Sequence, residues 1–213
     1  MLTTVVFDVG ETLVDEAPSW TAWAEWLGVP TFTLSAVMGG LIARGRDHRE
    51  VVPLLLPGRT FEDERTARVA AGGAWPPPLL YPDALPCLRA LRADRWRVVV
   101  GGNQPVAFQR LVEQLDLPVD VVTSSGELGA EKPDPDFYRR IADAAGALPE
   151  QCVSVGDRVD NDVVGARAAG MTAVHLRRGP WGVLHGDDPV LAQPDVPQLD
   201  ALGPLPGLLR TLR

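Results

Sequence analysis

The chain has 213 residues, of which 46% are hydrophobic, and a formal net charge of −8. This length is sufficient for one α/β core and a smaller second domain. The acidic balance argues against a protein that binds nucleic acid by neutralising its phosphates, and no uncharged apolar stretch is long enough to span a bilayer.

Five short runs rich in β-branched residues predict the buried strands of a parallel sheet. They lie at residues 3–9, 96–101, 119–122, 152–156 and 172–176. From the second strand onward the strands alternate with helical patterns, as in right-handed βαβ units. These helical patterns lie at about 83–94, 105–115, 134–146 and 160–169. The predicted fold class is therefore α/β, with a doubly wound parallel sheet.

A helical segment separates the first strand from the rest of the predicted sheet. Residues 15–79 hold four of the six tryptophans and show helical patterns at about 17–28, 33–50 and 60–72. This organisation predicts an α/β core of residues 1–14 and 80–213, with an inserted helical domain at 15–79. Residues 177–200, rich in Gly, Pro and Asp, are predicted to be loop.

Acidic residues follow two of the predicted strands. Asp8 ends the first strand, and the fourth strand runs into Asp157, Asp160 and Asp162. Proteins with such sheets bind ligands beyond the carboxyl ends of the strands, so these acids are expected to lie close together. Their mutual repulsion would be relieved by a hard cation bound through oxygen atoms. The sequence therefore predicts a Mg²⁺ site, with Asp157 as a direct ligand and Asp162 acting through water or holding a lysine.

Lys132 is the only lysine among 20 basic residues. The proline that follows disfavours helical backbone, so Lys132 is expected in a loop before the next helix. A compact ammonium there would neutralise nearby carboxylates and a bound phosphate, which the planar fork of arginine cannot do in a tight site.

These residues resemble the four motifs of the haloacid dehalogenase-like superfamily. In order, the motifs are Asp-x-Asp-x-Thr, a Ser or Thr after the second strand, a lysine often followed by proline, and Gly-Asp with a second acid. They correspond here to Asp8 and Thr12, the segment at 101–104, Lys132, and Asp157 with Asp162. The likeness covers 1–14 and about 80–213, and that superfamily places a helical cap where residues 15–79 lie.

The resemblance implies a Rossmann-like core and a role for each matching position. Asp8 would attack phosphorus and form an aspartyl-phosphate, while Lys132 and Mg²⁺ balance the charge of the transferring group and Thr12 assists. The metal would be held by Asp8, the backbone carbonyl of Gly10, Asp157 and Asp162. The expected activity is that of a Mg²⁺-dependent phosphatase or phosphotransferase. Its partner would be a small phosphorylated metabolite, with no nucleic acid, no membrane and no particular oligomeric state implied. A cytoplasmic location is expected on a separate ground, because two cysteines are too few for a disulfide scaffold.

Two positions depart from the motifs. Gly10 replaces an aspartate that protonates the leaving group and then activates water, a role worth about 10²–10⁴ in rate. Glu11 is a weaker candidate for that role, because adjacent side chains in an extended chain point apart. Gly102 offers no hydroxyl where the superfamily has Ser or Thr. Substrate phosphate would then be bound by the backbone of Gly102 and by Asn103 or Gln104.

Two other functions remain open from the sequence. The first is a catalytically weakened relative that binds a phosphorylated ligand or a protein partner, which both glycines favour. The second is a metal-free 2-haloacid dehalogenase, which Tyr138 and the missing aspartate would suit. Those enzymes, however, carry Tyr where this chain has Gly10 and Ser where it has Asp157, and the acid cluster would have no purpose without a metal.

Overall fold

The computed structural model describes residues 1–73 and 75–213. The strands of this part of the chain are β1 (Thr4–Phe7), β2 (Val14–Asp15), β3 (Leu79–Leu80), β4 (Arg97–Gly102), β5 (Val121–Ser124), β6 (Cys152–Gly156), β7 (Thr172–Leu176) and β8 (Gln198–Leu199). The helices of the N-terminal half are α1 (Ala17–Leu27), α2 (Thr31–Ile42), α3 (Val51–Leu55), α4 (Phe61–Ala70), α5 (Ala84–Ala93) and α6 (Val106–Glu113). Those of the C-terminal half are α7 (Ser125–Leu128), α8 (Pro135–Ala144), α9 (Ala166–Ala168), α10 (Gly179–Leu184) and α11 (Leu205–Leu212).

Six parallel strands form the main sheet in the order β5-β4-β1-β6-β7-β8. The chain first builds outward from β1 through β4 to β5, then returns to the other side of β1 for β6, β7 and β8. This confirms the predicted doubly wound α/β fold. The strand order reverses at β1, so ligand chemistry is expected at the carboxyl ends of β1 and its neighbours.

The central strands are buried on both faces, which is why their sequences are continuous apolar runs.

Helix α8 shows how the flanking layers are built. Asp134 caps its first turn by accepting a hydrogen bond from the Asp136 backbone amide at 2.9 Å. Its apolar stripe of Phe137, Tyr138 and Ile141 is fully buried against the sheet core.

The described residues divide into two compact units, Met1–Asp15 with Leu80–Arg213, and Glu16–Leu79. Within the second unit, Trp23 stacks on Phe61 with ring centroids 4.6 Å apart, and the Arg68 guanidinium lies over Trp23. The predicted insert at 15–79 contains residue 74, which lies outside the described residues. Its role as a cap domain stays a prediction.

One helix predicted in the insert is shorter than expected. The pattern at 33–50 resolves into α2, which ends at Ile42, and a separate 3₁₀ turn at His48–Glu50. A new turn starts there because the Asp47 side chain accepts a hydrogen bond from the Arg49 backbone amide at 2.9 Å.

The prediction of loop at 177–200 is wrong. Helix α10 begins there with Pro180 in its first turn, a 3₁₀ turn covers Pro189–Ala192, and β8 extends the sheet beside β7. The segment at 160–169 is helical as predicted, although Val159–Gly165 has π geometry. Across residues 1–73 and 75–213, no helix combines the length and apolarity needed to cross a membrane.

Candidate active site

Two acids follow neighbouring strands at the reversal of strand order. Asp8 comes directly after β1, and its backbone amide donates to the Val155 carbonyl of β6 at 2.9 Å. Asp157 comes directly after β6 and is almost fully buried. The register of the parallel pair, with Phe7 opposite Val155, therefore brings both carboxylates to the same edge of the sheet.

Lys132 lies between two carboxylates. Its Nζ donates to Asp8 Oδ1 and to Asp162 Oδ1, each at 2.7 Å, and its side chain is only 2% exposed. Burial opposes the charge, but the Asp162 and Asp8 carboxylates outweigh it and raise the pKa of Lys132 above its usual value. The ammonium therefore stays protonated and provides a fixed positive charge beside Asp8.

Three carboxylates meet around this lysine. Oxygen atoms of Asp8, Asp157 and Asp162 all lie within 4.8 Å of one another. Three negative charges and one ammonium leave the group anionic, and a divalent cation would bring it close to neutrality. The donor set consists of carboxylate oxygens, which suits a hard cation. The geometry therefore fits a metal site, as the sequence predicted for these three acids.

Asp162 has both carboxylate oxygens engaged. Oδ1 accepts from Lys132 Nζ, and Oδ2 accepts from the Arg158 backbone amide at 3.0 Å. These bonds match the second of the roles expected for Asp162, in which it holds the lysine. Asp8 and Asp157 are then the carboxylates better suited to bind a cation directly.

The carboxyl group of Asp8 is mostly buried but remains in contact with solvent. Burial raises the pKa of Asp8 to about 6, against the attraction of Lys132, which lowers it. The side chain remains 15% exposed, more than that of either Lys132 or Asp162. Asp8 is thus the member of the cluster that an incoming molecule can reach.

The loop after β1 carries Gly10 and Thr12. Gly10 forms an isolated bridge with Val14 and is half-buried. Thr12 is fully buried, and its Oγ1 has no hydrogen-bond partner among residues 1–73 and 75–213. Both predicted site residues are therefore close in sequence and structure to Asp8, in a tight turn.

A half-buried polar network that the sequence analysis missed supports this loop. Arg178 donates to the Thr12 carbonyl at 3.0 Å and forms an ion pair with Asp83. Its guanidinium lies over the Tyr81 ring, 4.1 Å from the centroid. The position of Arg178 in the sequence could have identified it, because Arg178 follows β7 just as the acids follow β1 and β6.

Glu11 is held away from a role as a free acid. It adopts left-handed backbone with φ of 52°, and its carboxylate accepts a hydrogen bond from the Tyr81 hydroxyl at 2.6 Å. A Cβ atom built on Gly179 would lie 2.5 Å from Glu11 Cβ, so glycine at 179 makes room for this side chain. This geometry supports a structural role for Glu11 and not the role of general acid that the sequence left open.

The end of β4 brings three further predicted residues to the cluster. A Cβ atom built on Gly102 would lie 2.8 Å from Asp8 Oδ1, so the backbone at 102 passes directly beside the carboxylate. Asn103 is committed to Lys132: its Nδ2 donates to the Lys132 carbonyl at 2.8 Å and its Oδ1 accepts from the Lys132 amide at 2.7 Å. Gln104 is half-buried beside Gly102.

The protein-family comparison agrees with this arrangement. Residues 2–170 match the model of the haloacid dehalogenase-like hydrolases. The chain belongs to this family. A glyceraldehyde 3-phosphate phosphatase of Methanopyrus kandleri is 36% identical over 104 residues, which are 47% of this chain and 45% of that protein. A phosphoglycolate phosphatase of Salmonella choleraesuis is 33% identical over 141 residues, 65% of this chain and 53% of that protein.

The haloacid dehalogenase-like fold is also found in a solved structure over the whole chain. The L-2-haloacid dehalogenase of Xanthobacter autotrophicus shares 21% identity and has a TM-score of 0.70, with 100% of both chains covered. At this identity the likeness concerns the fold. The stretches matched to the two curated relatives span about half of those proteins' length.

Proposed function

We propose that the protein is a Mg²⁺-dependent phosphatase or phosphotransferase that acts on a small phosphorylated metabolite through Asp8. The observation that carries the proposal is the placement of Lys132 Nζ, 2.7 Å from both Asp8 and Asp162, inside a cluster of three carboxylates. A buried ammonium beside a reachable carboxylate is suited to receive a dianionic phosphoryl group. The two curated relatives are named as phosphatases of small phosphorylated compounds, which supports the same substrate class.

Asp8 supplies the nucleophile in this proposal. One of its carboxylate oxygens forms a bond to phosphorus as the bond from phosphorus to the leaving oxygen breaks, giving an aspartyl-phosphate. Water then attacks phosphorus and the aspartyl oxygen leaves, which regenerates Asp8 and releases inorganic phosphate. The proton of the water passes to phosphate or to solvent. With an alcohol in place of water, the same site would transfer the phosphoryl group.

The neighbouring residues bind and orient. Lys132 neutralises the charge that would build up on the equatorial phosphoryl oxygens, and Asp162 keeps the ammonium in place. Asp8, Asp157 and the backbone carbonyl of Gly10 would hold Mg²⁺, with Asp162 further out. The metal supplies charge neutralisation and orientation of the phosphoryl group when it is bound. The Thr12 hydroxyl is proposed to assist Asp8.

The direct test is turnover of p-nitrophenyl phosphate and of a panel of phosphorylated two- and three-carbon acids and aldehydes. Assays contain either Mg²⁺ or chelator, and compare the wild type with Asp8→Asn. The matched control is Asp136→Asn, the same change at an exposed aspartate on α8. We expect Mg²⁺-dependent turnover in the wild type and the control and none in Asp8→Asn. Equal turnover in Asp8→Asn would refute the assignment of the nucleophile.

A second candidate is a weakened relative that binds a phosphorylated ligand without efficient turnover. Gly10 and Gly102 favour it, because both remove a polar side chain from the motifs, and Glu11 is occupied by Tyr81. Mg²⁺-dependent binding of a phosphorylated compound by a protein that hydrolyses none of the panel would select this function.

A metal-free dehalogenase is the least supported alternative. Tyr138, the residue that suited it, donates its hydroxyl to the Asn161 carbonyl and is 1% exposed. Asp157 also stands at a position where those enzymes carry Ser, and it is buried beside Asp8 and Asp162. Release of halide from 2-chloropropionate in the presence of chelator would select this function instead.

A further inference from the structure

We propose that His175 is a positioning residue for the metal site, because its imidazole holds the peptide group that orients the Asp157 side chain. This inference rests on the proposed function and adds a residue from a strand that none of the sequence motifs includes. His175 lies on β7 and is wholly buried. Its Nε2 lies 3.2 Å from the Asp157 carbonyl oxygen. Because that oxygen can only accept a hydrogen bond, Nε2 must carry the proton and donate it.

The peptide group between Asp157 and Arg158 is hydrogen-bonded at both of its ends. Its carbonyl oxygen accepts from His175, and its N–H, which belongs to Arg158, donates to Asp162 Oδ2 at 3.0 Å. The peptide group is planar, so two hydrogen bonds on opposite edges fix the rotation of the whole plane. That rotation sets ψ of Asp157, and with it the direction in which the Asp157 side chain leaves the backbone. His175 and Asp162 therefore act on Asp157 through one rigid unit.

The backbone on either side of β7 gives the imidazole a fixed base. The His175 amide donates to the Pro197 carbonyl at 2.9 Å, and the pairing of β7 with β6 places His175 opposite Gly156. Gly156 directly precedes Asp157, so β7 brings the ring beside the residue that it bonds. Position 156 has no room for a side chain, because a Cβ atom built there would lie 2.2 Å from Asp162 Oδ2. The turn after β6 is thus packed against Asp162 and bonded to His175.

Histidine is an unfavourable residue at this position unless its hydrogen bond matters. The Nδ1 atom of His175 is buried and has no hydrogen-bond partner within the described part of the chain. A buried polar atom without a partner is destabilising, and an apolar side chain would fill the same core without that penalty. An aliphatic side chain, however, could not donate to the Asp157 carbonyl. That hydrogen bond is therefore what histidine adds to the site.

The test measures Mg²⁺ binding to the full chain by calorimetry, without substrate, and urea unfolding of the metal-free protein. His175→Leu removes the donor and keeps an apolar side chain of similar size, whereas His175→Gln keeps an N–H donor at a similar reach. The matched control is Val174→Ala, a truncation of a fully buried residue on the same strand whose side chain has no polar atom. It reports what a loss of packing in β7 alone does to Mg²⁺ affinity.

We expect the Kd for Mg²⁺ to rise about tenfold in His175→Leu, the lower end of the usual effect of removing a group that orients a metal ligand. His175→Gln should restore most of that affinity, and Val174→Ala should lose stability without losing Mg²⁺ affinity. A folded His175→Leu variant that binds Mg²⁺ as tightly as the wild type overturns this inference, and so does an equal rise of Kd in Val174→Ala. No Mg²⁺ binding by the wild type would overturn the proposed function as well.

A second measurement needs no folded variant at position 175. Long-range proton–nitrogen NMR spectra of the wild type above neutral pH show which imidazole nitrogen carries the proton. The chain has three histidines, and His48→Gln and His185→Gln assign the signals of the other two. The inference requires the Nε2–H tautomer of His175. The Nδ1–H tautomer would overturn it, because the Nε2 lone pair would then face the Asp157 carbonyl oxygen.

Discussion

The side-chain amide of Asn103 forms two hydrogen bonds with the backbone of Lys132, donating to its carbonyl at 2.8 Å and accepting from its amide at 2.7 Å. This pair ties the loop after β4 to the loop that carries the only lysine. The ammonium is therefore positioned by its own backbone as well as by the two carboxylates that it contacts. Asn103 acts on the site through Lys132, whatever else it binds.

Asn103→Ala tests this positioning role. The loss of two hydrogen bonds is expected to lower the free energy of unfolding by about 1–3 kcal/mol. If the variant is active, kcat should fall more than KM rises, because a loosened ammonium affects the transition state more than the ground state. Asn103→Asp keeps the acceptor for the Lys132 amide but places a charged oxygen against the Lys132 carbonyl, so it should lose at least as much stability as Asn103→Ala. A clearly smaller loss in Asn103→Asp would count against the geometry.

Lys132→Met is expected to destabilise the fold as well as abolish turnover. It leaves Asp8 and Asp162 facing each other without the ammonium, and removal of one partner from a buried ion pair costs about 3–5 kcal/mol. Urea unfolding at neutral pH without added metal measures the loss. In the Lys132→Met background, Asp162→Asn should recover part of the stability by removing one charge. No recovery would mean that the carboxylates do not interact.

Because position 10 is glycine, the rate of phosphoryl transfer is expected to depend steeply on the leaving group. Without an acid to protonate the leaving oxygen, the rate of phosphoryl transfer should fall sharply as the leaving-group pKa rises across a series of aryl and alkyl phosphates. Gly10→Asp should flatten this dependence and raise kcat for the alkyl substrates by about 10²–10⁴. A shallow dependence in the wild type would indicate that another group donates the proton.

The ion pair of Arg178 with Asp83 predicts a pH-dependent contribution to stability. Although burial opposes the charge, the hydrogen bond from Arg178 lowers the pKa of Asp83 below its usual value. The stabilisation is therefore present above the unfolded-state pKa and is lost as the pH falls through the folded-state pKa. Asp83→Asn should lower the Tm at pH 7 and have a smaller effect near pH 3. A difference that is constant with pH would contradict this assignment.

Local pattern predicted the strands and most helices of the core, because each depends on apolar periodicity within a few residues. The acids were also predictable, since their position after β1 and β6 follows from the parallel sheet. The support of the Thr12 loop was not, because Arg178 reaches the Thr12 carbonyl across 166 positions of sequence. The prediction of loop at 177–200 was wrong for a related reason. Strand β8 is only two residues long and forms by pairing with β7, which local sequence pattern does not reveal.

Because Lys132 is both the only lysine and almost fully buried, the folded protein presents no lysine amine to solvent. Reagents that acylate amines should therefore leave this side chain untouched until the core opens. The extent of its modification over time would report how often the fold opens, at one known atom and without any introduced label.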